Sequence, residues 1–92
     1  MLNLVRLIEI REDDLNAKRR KKQILLSETL INSDNVCFLR DDTGYNEYLK
    51  GFKLWPEGLD KRSVFTRIYF GGLNNYIRIV GDFNTIAKKF GI

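Results

Sequence analysis

Apolar and polar residues alternate along five segments of the chain, and a period of two residues predicts β-strands. The predicted strands are residues 2–11, 23–31, 36–40, 63–70 and 75–80. Gly71 and Gly72 separate the last two strands, and tight turns between paired strands favour glycine. These two strands are therefore expected to form a β-hairpin.

After this hairpin the apolar residues take up the helical period. Four of them follow at i, i+3, i+4 and i+7, namely Phe83, Ile86, Ala87 and Phe90. This spacing predicts a helix over about residues 83–90, and Asp82 can cap its first turn. A helix this short is marginal alone, so its apolar face is expected to dock on the sheet.

The first three strands are expected to form a meander. In the first strand, Leu4 and Ile8 lie on one face, whereas Val5 and Leu7 lie on the other. The strand is therefore either central, with both faces covered, or interrupted by a bulge near Arg6. Both alternatives place it inside the sheet.

The two connections in this meander differ in composition. Residues 13–22 begin with two aspartates and end in five basic residues without an apolar period, which predicts a mobile hairpin loop. The basic run is Lys18, Arg19, Arg20, Lys21 and Lys22. Residues 32–35 read Asn-Ser-Asp-Asn and predict a tight turn, because each side chain can bond its own backbone.

Residues 43–62 form an excursion between the third and fourth strands. Aromatic and leucine residues at helical spacing over residues 45–52 predict a turn or two of helix, which Gly51 breaks. The whole pattern predicts a single domain over residues 1–92 with a mainly β (α+β) fold. We expect a small, strongly bent five-stranded antiparallel sheet or a partly open barrel, with the short C-terminal helix against one side.

Several stretches in this order resemble the small flagellar FlbD/SwrD-type proteins. They are LNLVRLIEI, TLINSDNV, TRIYFGGLNN and IRIVGDFNTIAKKF. The same order, with PEGLDKRSVFT at the fourth strand, is similar to short proteins encoded by tailed bacteriophages. Neither resemblance implies catalytic residues, and the second implies a phage-encoded accessory or host-directed protein.

The composition narrows the class of partner and the compartment. Sixteen Lys and Arg against twelve Asp and Glu give a net charge of +4, which permits contact with nucleic acid or an acidic partner. Cys37 is the single cysteine, and its place between Val36 and Phe38 predicts a buried thiol in a reducing compartment, the cytoplasm. Apolar runs are too short to span a membrane and no signal-peptide layout is present, so no membrane partner is expected.

Catalysis is not expected. Histidine is absent, which removes the commonest general base and the commonest metal ligand. Asp41 and Asp42 could hold Mg²⁺ with a phosphate substrate, but adjacent carboxylates at a strand end are far more often turn caps. We therefore expect no enzyme activity, no metal site and no cofactor.

Two surfaces compete for a binding role, and the first is basic. The basic run attracts phosphates, and Tyr69, Tyr76 and Arg78 of the hairpin could add stacking platforms and a phosphate clamp. The alternatives are a solvated loop for the basic run and cross-strand packing for the tyrosines. This surface predicts nucleic-acid binding, or a homo-oligomer that sequesters a small anionic ligand.

The second surface is the excursion. It concentrates Tyr45, Tyr48, Phe52, Trp55 and Pro56, and residues of this kind are enriched where proteins bind each other. The alternative is a lid over the core, with Phe52 and Trp55 buried and both tyrosines near the surface. We expect a non-enzymatic binding protein that engages a protein partner, or a second copy of itself, through the excursion.

Overall fold

Five strands form one open antiparallel sheet, and two short helices lie against it. The computed structural model describes residues 3–16 and 21–91, with side chains described outside 13–16 and 21–22. The strands are β1 (Leu4–Asn16), β2 (Lys21–Asn32), β3 (Phe38–Asp41), β4 (Phe65–Tyr69) and β5 (Tyr76–Val80). The helices are α1 (Tyr45–Gly51) and α2 (Phe83–Lys89). The predicted fold class is therefore confirmed, in its open rather than its closed form.

The strand order is β2-β1-β5-β4-β3, so the predicted meander of the first three strands is wrong. A 3₁₀ turn over Ser33–Asn35 follows β2, and the Asn32 side chain accepts a hydrogen bond from the Asp34 N–H at its start. The chain then crosses to the opposite edge of the sheet, where the Cys37 N–H donates to the Tyr69 carbonyl over 2.8 Å. β3 thus pairs with β4, while β1 lies between β2 and β5.

The ladder between β1 and β2 is longer than the alternation predicts. Asp13 pairs with Gln23, Asp14 with Lys22, and the ladder reaches Asn16 and Lys21 after a register shift. The predicted loop over residues 13–22 is therefore wrong for these positions. Backbone hydrogen bonds between the strands sustain this ladder of polar residues beyond the core. Lys18, Arg19 and Arg20 lie outside the described residues.

One face of the sheet packs on α2. Its buried residues are Leu7, Ile31, Ile68, Ile79 and Ile86. Ile86 and Ala87 are the buried residues of the helix, whereas Phe83 is 40 % exposed and contributes less than its spacing predicts. Asp82 stands at the N-cap position with extended backbone, although its side chain makes no capping hydrogen bond.

Gly81 sets the close approach of α2 to the sheet. Its φ of +139° is unfavourable for a residue with a side chain, and a Cβ there would lie 2.9 Å from Ile86 Cδ1. Its carbonyl accepts the Thr66 hydroxyl over 2.9 Å, which satisfies a fully buried polar group. The glycine therefore lets α2 turn back onto the sheet directly after β5.

The other face of the sheet packs on α1. Its buried residues are Ile10, Tyr45, Leu49 and Phe65. β1 contributes Leu7 to one cluster and Ile10 to the other, so it is central, as the first of the two alternatives predicts. The face of Ile10 is covered only in part, because Leu4 and Ile8 are 51 % and 38 % exposed. The ladder of β1 with β2 is regular around Arg6, where a bulge was the other alternative. The excursion that contains α1 therefore completes a second half of the core.

Cys37 is exposed, and the prediction of a buried thiol is wrong. It precedes the edge strand β3, in which Leu39 alone is half-buried. β3 is a short edge strand and covers little of the chain beside it. The apolar residues on either side of Cys37 therefore do not bury it. None of the helices in the described part of the chain has the length and apolarity needed to cross a membrane.

Candidate functional site

A row of three arginines crosses the sheet on the face that carries α1. The register pairs Arg40 of β3 with Arg67 of β4, and Arg67 with Arg78 of β5. Adjacent strands lie ~4.8 Å apart, so the row brings three like charges together, and like charges directly opposite are destabilising. The repulsion between the three guanidinium groups therefore has to be offset, and Asp42 and a group of aromatic rings offset it.

Asp42 binds two of the arginines at once. Its Oδ2 accepts a hydrogen bond from Arg78 Nε over 2.7 Å, and its Oδ1 forms an ion pair with Arg67 Nε at 3.2 Å. The Asp42 side chain is only 6 % exposed, whereas those of Arg67 and Arg78 are 30 % and 25 % exposed. Asp42 follows β3, and its N–H donates to the Phe65 carbonyl over 3.0 Å, which fixes its backbone. Its side chain is therefore the counterion of the row and not the turn cap that the sequence predicts.

Aromatic rings hold the guanidinium groups in place. The Arg78 guanidinium carbon lies 4.0 Å from the centroid of the Tyr45 ring, and that of Arg67 lies 4.7 Å from the Tyr76 ring. Contacts of this kind stabilise a cation over a ring face, more strongly where water is excluded. Tyr45 comes from α1, so the excursion positions one end of the arginine row.

A row of aromatic residues runs beside the arginines. Phe38, Tyr69 and Tyr76 are cross-strand neighbours, with ring centroids 4.3 Å apart for the first pair and 5.3 Å for the second. Tyr69 is 2 % exposed, so its ring is packed between its neighbours and is not an open stacking platform. The alternative of cross-strand packing holds for this residue. The Arg40 guanidinium lies about as far from Phe38 as from Tyr69, at 5.7 and 5.8 Å.

Two of the four tyrosine hydroxyls of this region, those of Tyr69 and Tyr45, have distinct partners. Arg67 Nη1 donates to the Tyr69 hydroxyl over 3.3 Å, and this bond, with Asp42, raises the pKa of Arg67, which stays charged. The Tyr45 hydroxyl donates to Glu12 Oε1 over 3.2 Å. Burial, followed by the nearby Glu12 charge, raises the pKa of Tyr45 above its usual value, so it remains a neutral donor.

The arginines open into a cleft of about 580 Å³ between the sheet and α1. Its lining residues are Glu12, Arg40, Asp41, Asp42, Thr43, Gly44, Tyr45, Tyr48, Arg67 and Arg78. Asp42 uses the Nε side of Arg78, and no described residue binds its two Nη atoms. Arg40 is exposed and forms no ion pair within the described residues. The guanidinium groups of Arg67 and Arg78 are thus ordered, and the row still has donors for a ligand.

The excursion mainly covers the core, as the lid alternative predicts. Its aromatic residues, however, are not buried in the predicted pattern. Tyr45 is buried, because it shares the inner face of α1 with Leu49, one turn later. Phe52, by contrast, lies just beyond the end of α1 and is 67 % exposed. Tyr48, Trp55 and Pro56 are half-buried.

Sequence reasoning found Arg78 but missed its partners. Arg40 and Arg67 belong to segments that pattern alone places on strands, and Asp42 follows the third strand, yet no local signal makes them neighbours. Arg78 and Asp42 are 36 positions apart in the chain. Only the pairing of β3 with β4 and of β4 with β5 brings them together.

Across residues 3–16 and 21–91, the acidic residues and the cysteine nowhere form a group of three that could hold a metal ion. Comparison of the chain with protein-family models, curated proteins and solved structures finds no match. The resemblance to the flagellar-type and phage proteins therefore stays a prediction.

Proposed function

We propose that this protein is a non-enzymatic binding protein and that its arginine row binds a polyanion, of which single-stranded nucleic acid is the best match. The observation that carries the proposal is the row itself, in which Arg40, Arg67 and Arg78 lie side by side and Asp42 holds the guanidinium groups of Arg67 and Arg78 in place. The planar fork of arginine matches the oxygens of a phosphate group.

The charge balance supports spaced anionic groups as ligands. Asp42 neutralises one of the three guanidinium charges, which leaves two positive charges in the row. Asp41 and Glu12 also line the cleft, so affinity has to come from directed hydrogen bonds more than from net charge. A chain of phosphates can place one group on each fork while its other groups avoid the carboxylates.

The Arg67 and Arg78 side chains are ordered before a ligand binds, which favours affinity for the anion. Flexible side chains lose rotamer freedom on binding, at about 0.5 to 1.5 kcal/mol for each one immobilised. Arg67 and Arg78 are already held by Asp42 and by the Tyr76 and Tyr45 rings. Their side chains therefore lose much of their rotamer freedom when the protein folds, and lose less when a ligand binds. Phe38 and Tyr76 are partly exposed beside the row and offer edges against which an unpaired base can pack.

The proposal predicts a defined effect of Arg40→Gln. Loss of one phosphate contact should weaken binding to a labelled single-stranded oligonucleotide roughly tenfold. It should also flatten the log-log dependence of affinity on salt by about 0.7. Fluorescence anisotropy across a salt series measures both quantities. Arg40 is exposed, so the melting temperature should stay that of the native chain.

The matched control removes charge from the opposite face. Lys88 and Lys89 are exposed on α2, and their replacement by glutamine should leave the binding curve nearly unchanged. A third variant carries glutamine at residues 18–22. Binding that falls in this variant but not in Arg40→Gln would move the site from the arginine row to the basic run.

A second candidate function is association through the excursion, and the exposure of Phe52 favours it. This ring is 67 % exposed, and its centroid lies 5.1 Å from that of Tyr48. A large exposed aromatic residue is typical of the centre of a binding surface. The form of this candidate that can be tested directly is a dimer of the chain.

Sedimentation equilibrium over a range of protein concentrations tests this candidate. If Phe52 lies in a dimer contact, the apparent mass should rise with concentration, and Phe52→Ser should abolish the rise. Leu73→Ser is the control, because Leu73 is 69 % exposed in the turn between β4 and β5. A monomeric native chain at all concentrations would remove the dimer form of this candidate.

A further inference from the structure

A second cationic cleft lies on the excursion and shares no residue with the arginine cleft. It has a volume of about 340 Å³ and is lined by Lys50, Lys53, Trp55 and Lys61. No carboxylate is among these lining residues, in contrast to the arginine cleft. The nearby Asp60 is paired with Arg62 at 3.3 Å. The cleft therefore presents an aromatic ring together with positive charge alone.

The Trp55 ring is held in a fixed orientation. Its indole N–H donates to the Leu59 carbonyl over 2.9 Å, and its ring meets Phe65 at an angle of 60° with centroids 6.0 Å apart. Lys50 Nζ lies 5.4 Å from the centroid of the indole ring. Because the ring is half-buried and tied at both its polar and its apolar side, its orientation is set before any ligand binds.

Lys53 occupies a position that helices usually give to glycine. The Lys53 N–H donates to the Lys50 carbonyl and the Leu54 N–H to the Leu49 carbonyl, which is the Schellman arrangement that ends α1. In it Lys53 adopts a φ of +54°, which is unfavourable for a residue with a Cβ. This conformation aims a lysine, rather than a glycine, at the cleft beside Trp55.

We propose that this cleft binds a nucleotide, with the base on the Trp55 ring and the phosphate among the ammonium groups of Lys50, Lys53 and Lys61. An aromatic ring recognises any base by stacking, and ammonium groups recognise phosphate. A free nucleotide and one unit of a single strand present the same chemistry. The inference stands on the cleft alone and does not depend on the arginine row.

Trp55 is the only tryptophan of the chain, so its fluorescence reports on this cleft directly. Adenosine diphosphate should quench the emission with a saturable curve, because its base stacks on the indole. Adenosine lacks the phosphates and pyrophosphate lacks the base, so each should bind at least about tenfold more weakly. Equal binding of adenosine and the diphosphate would overturn the role of the lysines, and equal binding of pyrophosphate would overturn that of Trp55.

Lys53→Gly separates binding from folding. Glycine relieves the positive φ, so the melting temperature should rise by a few degrees, while loss of one ammonium group should weaken binding of the diphosphate several-fold. Lys89→Gln on α2 is the control and should change neither quantity. Unchanged quenching in Lys53→Gly would overturn the site whatever the melting temperature does.

A last pair of titrations identifies the source of the nucleotide and keeps the two proposals apart. An oligothymidylate that binds roughly tenfold or more tightly than thymidine monophosphate indicates a unit of a single strand, and equal affinities indicate a free nucleotide. Arg40→Gln should leave the quenching by adenosine diphosphate unchanged. Loss of this quenching in Arg40→Gln would overturn the independence of the second cleft.

Discussion

Asparagine in place of Asp42 is expected to lower the free energy of unfolding by about 3 kcal/mol, the lower end of the range for removing one partner of a buried ion pair. The lower end applies because Arg67 and Arg78 keep part of their side chains in water. The substitution preserves shape and leaves two adjacent guanidinium groups without a counterion. For a domain of this size the melting temperature should fall by roughly 12 to 24 °C.

Asp41 provides the matched control for this prediction. It is the preceding residue and also a carboxylate, but it is exposed. Asp41→Asn should change the free energy of unfolding by no more than about 0.5 kcal/mol, as is usual for exposed positions. Urea denaturation followed by Trp55 fluorescence measures both variants. Equal stability of the two variants would show that the aromatic rings alone compensate the arginine row.

Alanine in place of Leu49 is expected to destabilise the protein by about 3 kcal/mol, within the range for removing a buried leucine side chain. Leu49 is fully buried between α1 and the sheet, in the cluster that contains Phe65. The loss is a large share of the roughly 5 to 15 kcal/mol by which small domains are stable. The prediction follows from the role of the excursion as a lid.

Phe52→Ala is the companion variant, because Phe52 is the large apolar residue of the excursion that stays exposed. Its removal should change stability by no more than about 0.5 kcal/mol. Circular dichroism during thermal unfolding compares the two variants. Similar melting temperatures for Leu49→Ala and Phe52→Ala would show that α1 is peripheral to the fold.

The lid also affects the arginine row. Tyr45 lies on the same face of α1 as Leu49 and places its ring over Arg78. A looser α1 should therefore weaken anion binding as well as stability, and Phe52→Ala should leave both intact. This coupling would let a segment that completes the core also order the arginine row on the same face of the sheet.

The number and type of the elements could be predicted from the sequence alone. The five strands, the helical turn of the excursion and the C-terminal helix all exist as the periods of two and of 3.6 residues predict, although β1 and β2 extend beyond their predicted bounds. These periods depend on residues within a few positions of each other. The sides of β1 could also be predicted, since apolar residues on both of its faces are typical of a central strand.

Strand pairing and the exposure of residues at the sheet edges depend on the tertiary structure and not on local pattern. The third strand could pair with the second or with the fourth, and local pattern is the same for both. That choice exposes Cys37 and sets Arg40 beside Arg67. The arginine row depends most on this choice of strand pairing, because Asp42 and Arg78 are 36 positions apart and meet only through the strand order. Contacts of that range are fixed by the packing of the whole sheet, which no short stretch of sequence encodes.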